Sequence, residues 1–94
     1  MPNLEGLFQK AMSAARADRS GMALNRWYRQ TFKNGDTSYF NPTSILKNGN
    51  YHGKTYSIYV DRPRAKAKGK LESVWAPELW TMVNDSDVPF HRFK

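Results

Sequence analysis

The segment RWYRQTFKNGDTSYF, residues 26–40, sets Asn34-Gly35 between two runs rich in Trp, Tyr, Thr and Phe. Asn-Gly flanked by β-forming residues is the strongest short-range signal of a hairpin. A two-residue type I′ turn would set Lys33 opposite Asp36, a favourable cross-strand pair. The same residues also fit a helix, with Leu24, Trp27, Tyr28 and Phe32 on one face and Arg26, Arg29 and Lys33 on another. The Asn-Gly pair and the aromatic content favour the strand.

Working outward, residues 3–18 read as an amphipathic helix. Leu4, Leu7, Phe8, Ala11, Met12 and Ala15 share one face of a 3.6-residue period. Asn3 serves as N-cap and Gly21 as stop. On the other side, Asn41-Pro42 is expected to break the strand before it. A second Asn-Gly follows at 48–49. Lys54–Val60 is the clearest strand, with Tyr56, Ile58 and Val60 alternating against Thr55, Ser57 and Tyr59. Residues 71–75 read as a further strand, ended by Pro77 or held at an edge. Residues 78–84 fit a strand, or a short helix with Pro77 at its first position. The predicted fold is therefore α+β: one N-terminal amphipathic helix packed on a small antiparallel sheet of three to five strands, with a basic loop or β-arm at 62–70. At 94 residues the chain, 1–94, makes a single domain.

Charge is the second strong signal. The chain carries 15 Lys and Arg against 8 Asp and Glu, for a net +7. Residues 1–70 carry +9 of this and residues 71–94 carry −2. Such asymmetry suits a nucleic-acid binder, or a protein that meets an acidic or nucleic-acid-binding protein surface. Five of the basic residues, Arg62, Arg64, Lys66, Lys68 and Lys70, fall within one segment. If extended, Arg64 to Lys70 would put four cations on one side, separated by small residues that allow close approach to phosphate. A solvated surface loop is the plain alternative. Arg26, Trp27 and Arg29 add a cation–aromatic cluster of the kind that stacks bases. Core packing of Trp27 is the alternative.

Other classes are disfavoured. No cysteine is present, which removes disulfides, thiolate metal sites and a cysteine nucleophile, and points to a cytoplasmic setting. No apolar run is long enough to span a bilayer, and residues 1–6 lack a signal-peptide pattern. The only histidines, His52 and His91, lack neighbours at metal-ligand spacing, so no metal is expected. Asp85 and Asp87 sit close together in a loop with Ser86, and a hydrolase that used them, a third reading, would also need a sizeable cleft. Gly53-Lys54-Thr55 lacks the leading glycine of a phosphate loop and precedes a strand, so no cofactor is expected. The expectation is a non-enzymatic small basic protein that acts on nucleic acid or on a nucleoprotein machine through its cationic loop. The alternative is an inhibitor that occludes a site on a host protein, of the anti-CRISPR or anti-restriction kind. In composition alone the chain resembles small phage-encoded proteins directed at host machinery.

Overall fold

The computed structural model describes residues 21–94. They form a five-stranded antiparallel sheet: β1 (Tyr28–Thr31), β2 (Thr37–Ile45), β3 (Tyr51–Ile58), β4 (Lys70–Val74) and β5 (Thr81–Met82), in the order β4-β3-β2-β1-β5. Among these residues the only helical elements are 3₁₀ turns at Pro77–Leu79, Asp85–Asp87 and Phe90–Arg92. The α+β expectation is thereby corrected to a sheet without an α-helix. The helix expected at 3–18 lies outside the described residues, and no helix packed on the sheet is shown. Irregular segments rich in aromatic residues cover the sheet instead.

Both Asn-Gly pairs make hairpins, by the same device. The Gly35 amide bonds the Phe32 carbonyl at 2.9 Å, and the Phe32 amide bonds the Asp36 carbonyl at 2.8 Å. Gly49 and Leu46 repeat this with Asn50, at 2.9 and 2.8 Å. Gly35 and Gly49 have φ of +94° and +90°, the left-handed region that a side chain disfavours. Each loop is thus a three-residue turn closed by a glycine bulge: at Asn34-Gly35 it replaces the expected two-residue type I′ turn, and at Asn48-Gly49 it replaces the six-residue loop 48–53 expected to close back into the strand if 45–47 is extended, because β3 already begins at Tyr51. Asp36 consequently faces Phe32, and Lys33 lies in the loop. Burial explains the register: it sets Tyr28 opposite Phe40, both buried, whereas the expected turn would set Tyr28 opposite Asn41.

Pro42 does not end β2. It lies within the strand, fully buried, opposite Gly53. A proline cannot donate to a ladder, and the register shifts between Pro42 and Ser44 to accommodate it. The Pro42 carbonyl accepts from the Asn25 amide at 2.7 Å, where Asn25 itself adopts φ +64°. A Cβ on Gly53 would collide with the Asn41 carbonyl oxygen and Pro42 Cα, so glycine is what lets these two backbones meet.

The two faces of the sheet differ. On one, Tyr28, Phe40 and Val74 pack with Met22, flanked by half-buried Tyr51 and Trp80. The Tyr28 hydroxyl is satisfied by the Ala23 amide at 2.7 Å. On the other face, Phe93 stacks on Tyr56 with ring centroids 4.1 Å apart and planes within 3°. Trp27 meets both Phe90 and Phe93 edge-on or tilted, at 5.5 and 5.8 Å. The C-terminal segment thereby acts as the second cover.

Candidate nucleic-acid interface

The first face carries its apolar core toward one end only. Toward the other end, β2 and β3 present hydroxyls. Ser38 and Ser57, opposite one another in the ladder, share a hydrogen bond at 2.8 Å, and Thr55 is buried beside them. Strand alternation puts Thr55, Ser57 and Tyr59 in one row. The basic segment borders this row. Arg62, Lys66, Lys68 and Lys70 line a cleft of about 240 Å³ together with Thr55, Ser57, Tyr59, Ala65, Ala67 and Glu72. Four cations and one carboxylate around three hydroxyls make a site for an anionic oxygen group. The volume is below that of a typical drug-sized pocket, which suits a phosphate or sugar-phosphate rather than a whole nucleotide.

The segment's shape comes from the chain's last residues. The Ala67 amide bonds the Arg92 carbonyl at 2.7 Å, and the Lys94 amide bonds the Ala67 carbonyl at 2.8 Å. Lys66 Nζ donates to the His91 carbonyl at 2.6 Å, and the Arg92 guanidinium donates to the Ala65 carbonyl at 3.0 Å. Phe93, anchored on Tyr56, holds this clamp against the sheet. Gly69 lies against the same ring: a Cβ there would meet Tyr56 at 2.8 Å and push its outer end aside.

Next to the cleft, and sharing Ser57 and Tyr59 with it, runs an open depression lined also by Phe32, Lys33, Asn34, Asp36 and Ser38. Phe32 and Tyr59 are exposed aromatics at its sides, at 45% and 40%. The Arg62 guanidinium lies 4.5 Å from the Tyr59 ring centroid, a cation–π contact that fixes a positive charge where the two halves join. The cationic cleft, the Tyr59 ring at the junction and the Phe32 ring beyond it therefore line one continuous groove.

Of the residues singled out in sequence, Arg62, Lys66, Lys68 and Lys70 come together in the cleft. Arg64 is exposed in the turn before it and does not line it. Arg29 pairs with Tyr39 and Thr81, so it alternates onto the face away from the groove. Trp27 is half-buried among Tyr56, Phe90 and Phe93. Arg26 is exposed just before β1 and lines no part of the groove. Phe32, Ser38, Thr55, Ser57 and Tyr59 were not singled out; the hydroxyl row Thr55-Ser57-Tyr59 was the signal that could have found three of them. His52 is half-buried at 3.4 Å from Ser73 Oγ, and His91 lies in a 3₁₀ turn; neither lines the groove. Among the described residues no group of His, Cys, Asp or Glu could hold a metal ion, and no helix is long and apolar enough to cross a membrane.

No protein-family model matches the chain, and neither a curated protein nor a solved structure is significantly similar to it.

Proposed function

We propose that this chain is a non-enzymatic nucleic-acid-binding protein that holds a single strand in the groove across β2 and β3. A phosphate enters the cleft of Arg62, Lys66, Lys68 and Lys70, and adjacent bases lie on Phe32 and Tyr59. The observation that carries this reading is the continuity of the two halves through Ser57 and Tyr59. Cations that track a backbone beside rings that stack bases are the two elements of sequence-tolerant single-strand binding. Exposed rings favour a single strand over a duplex, whose bases are already stacked.

Fluorescence anisotropy with labelled single-stranded and duplex oligonucleotides tests it. Single strands are expected to bind more tightly than duplex of the same length. Stacking contributes about 1–3 kcal/mol per base, so Phe32→Ala and Tyr59→Ala are each expected to weaken binding by about 5- to 150-fold. Equal affinity for duplex, or full affinity in both variants, refutes the groove.

A further inference from the structure

The structure assigns a second copy of this chain to the outer edge of β4, paired antiparallel in the register centred on Leu71. Among the described residues β4 has β3 as its one neighbour, and its outer backbone groups form a sheet edge. Exposed edges are normally short, charged or covered. This one is five residues long and carries Lys70 and Glu72, and beside those charges it exposes two large apolar side chains. Leu71 is 66% exposed, and Trp75, directly after the strand, is 78% exposed.

The occupant follows from charge. A twofold axis perpendicular to a sheet pairs strand positions on the same face only, so the axis must pass through a residue pair. Centred on Leu71, it sets Lys70 of each copy opposite Glu72 of the other, twice, with Leu71 against Leu71 on the opposite face. Centred on Glu72, it would set two carboxylates together. Centred on Ser73, it would pair Glu72 with Val74 and leave Lys70 beyond the strand. The sequence Lys70-Leu71-Glu72 is thus self-complementary in one register. The backbone of each copy would continue the other's ladder, giving a ten-stranded sheet from two five-stranded ones.

The pairing also completes the groove, a consequence that rests on the nucleic-acid reading. Lys70 and Glu72 line the cationic cleft. Glu72 is the one carboxylate among its lining residues, and the partner copy's Lys70 would neutralise it. The same axis puts both clefts on one face, side by side, so a strand leaving one cleft meets the next.

Sedimentation equilibrium without nucleic acid, at physiological ionic strength, tests the assembly. The wild-type chain is expected to dimerise reversibly. Lys70→Glu and Glu72→Lys each create two like-charge pairs and are expected to weaken the dimer by about tenfold or more. The double variant Lys70→Glu/Glu72→Lys restores both pairs and is expected to dimerise as the wild type does. An equimolar mixture of the two single variants is expected to form a heterodimer for the same reason. A wild-type chain that stays monomeric at every concentration overturns the inference, as does failure of both rescues. Oligonucleotide binding by a strictly monomeric wild type would remove the dimer and leave the groove standing; a dimer that binds no oligonucleotide would do the reverse.

Discussion

Phe93→Ala is expected to loosen the sheet and the basic segment together. Phe93 is half-buried, stacked on Tyr56 at 4.1 Å, and within 6 Å of Trp27, Tyr39 and Phe90 as well, at 5.8, 5.9 and 5.9 Å. Truncating a fully buried Phe costs about 3–5 kcal/mol. Partial exposure lowers that figure, while loss of the stacked pair adds about 0.5–1.5 kcal/mol. A net cost of about 2–3 kcal/mol follows, which for a domain of this size lowers Tm by about 10–20 °C. The loss should reach further than the ring. The backbone bonds that join Ala67 to Arg92 and Lys94 flank Phe93 directly. If the ring holds them, the Ala67 amide should exchange its hydrogen about 30- to 150-fold faster in the variant, the factor equivalent to that free energy. Circular dichroism melts and residue-resolved hydrogen exchange measure the two effects. Phe90→Ala provides the comparison, since Phe90 is 50% exposed and should cost about 1 kcal/mol. A Phe93→Ala variant that melts within about 2 °C of wild type, with Ala67 exchange unchanged, would refute the clamp.

Further perturbations probe the groove and the turns. Four cations in contact with phosphate on a single strand give a log–log salt slope of about −2.8, and Arg62→Ala with Lys68→Ala should flatten it by about 1.4. Anisotropy titrations across a potassium chloride series read the slope; one that does not move means that these side chains are only solvated. Gly35→Val should cost more than about 1 kcal/mol, from the left-handed backbone and from contact with Val60 Cγ1 at 3.1 Å. Gly49→Ala isolates the backbone part, because a Cβ there meets nothing within 4 Å; about 1–2 kcal/mol is expected in urea unfolding. Gly53→Ala forces a Cβ into the backbone of Asn41 and Pro42 and should cost about 1–3 kcal/mol; a neutral result would mean that the bulge relaxes freely.

Local signals in the sequence translated well where a short segment carries its own geometry. Asn34-Gly35 marked a hairpin and its glycine has positive φ, whereas Asn48-Gly49 read as part of a six-residue loop and proves to close an equally tight hairpin. The alternation of 54–60 marked the strand that the structure extends from Tyr51 to Ile58. Turn type was not legible, because a two-residue and a three-residue loop use the same Asn-Gly and differ by one residue of register. Burial of Tyr28 against Phe40 selects between them, and that is a property of the assembled sheet. Pro42 misled for a similar reason. Its missing donor is harmless only because a bulge and the opposing Gly53 make room, neither of which proline itself announces. In the candidate site, the charge run gave four of the cleft's cations, yet its shape depends on Arg92, Phe93 and Lys94, some 25 residues away. The exposed ring of Phe32 carried no mark in the sequence, since an aromatic in a strand reads as core until its face is known; Tyr59 was legible only as one of the alternating hydroxyl row with Thr55 and Ser57.

The order of the strands also dictates how the molecule comes apart. β1 to β4 form a meander in which each strand pairs with its predecessor, and two of the three connections are tight loops of the kind that close within microseconds. β5 alone returns from far along the chain, joining Met82 and Thr81 to Tyr28 and Arg29 by two pairings. Two pairings hold β5, against four to eight in each of the other ladders. β5 should therefore dock last and detach first, at a free energy well below that of global unfolding. Trp80 immediately precedes it, with its ring 5.5 Å from that of Phe40. Each opening of this last strand draws an indole away from the core while the meander stays intact. The indole at position 80 is thus a built-in reporter of the sheet's weakest seam, in a molecule whose other strands hold one another in series.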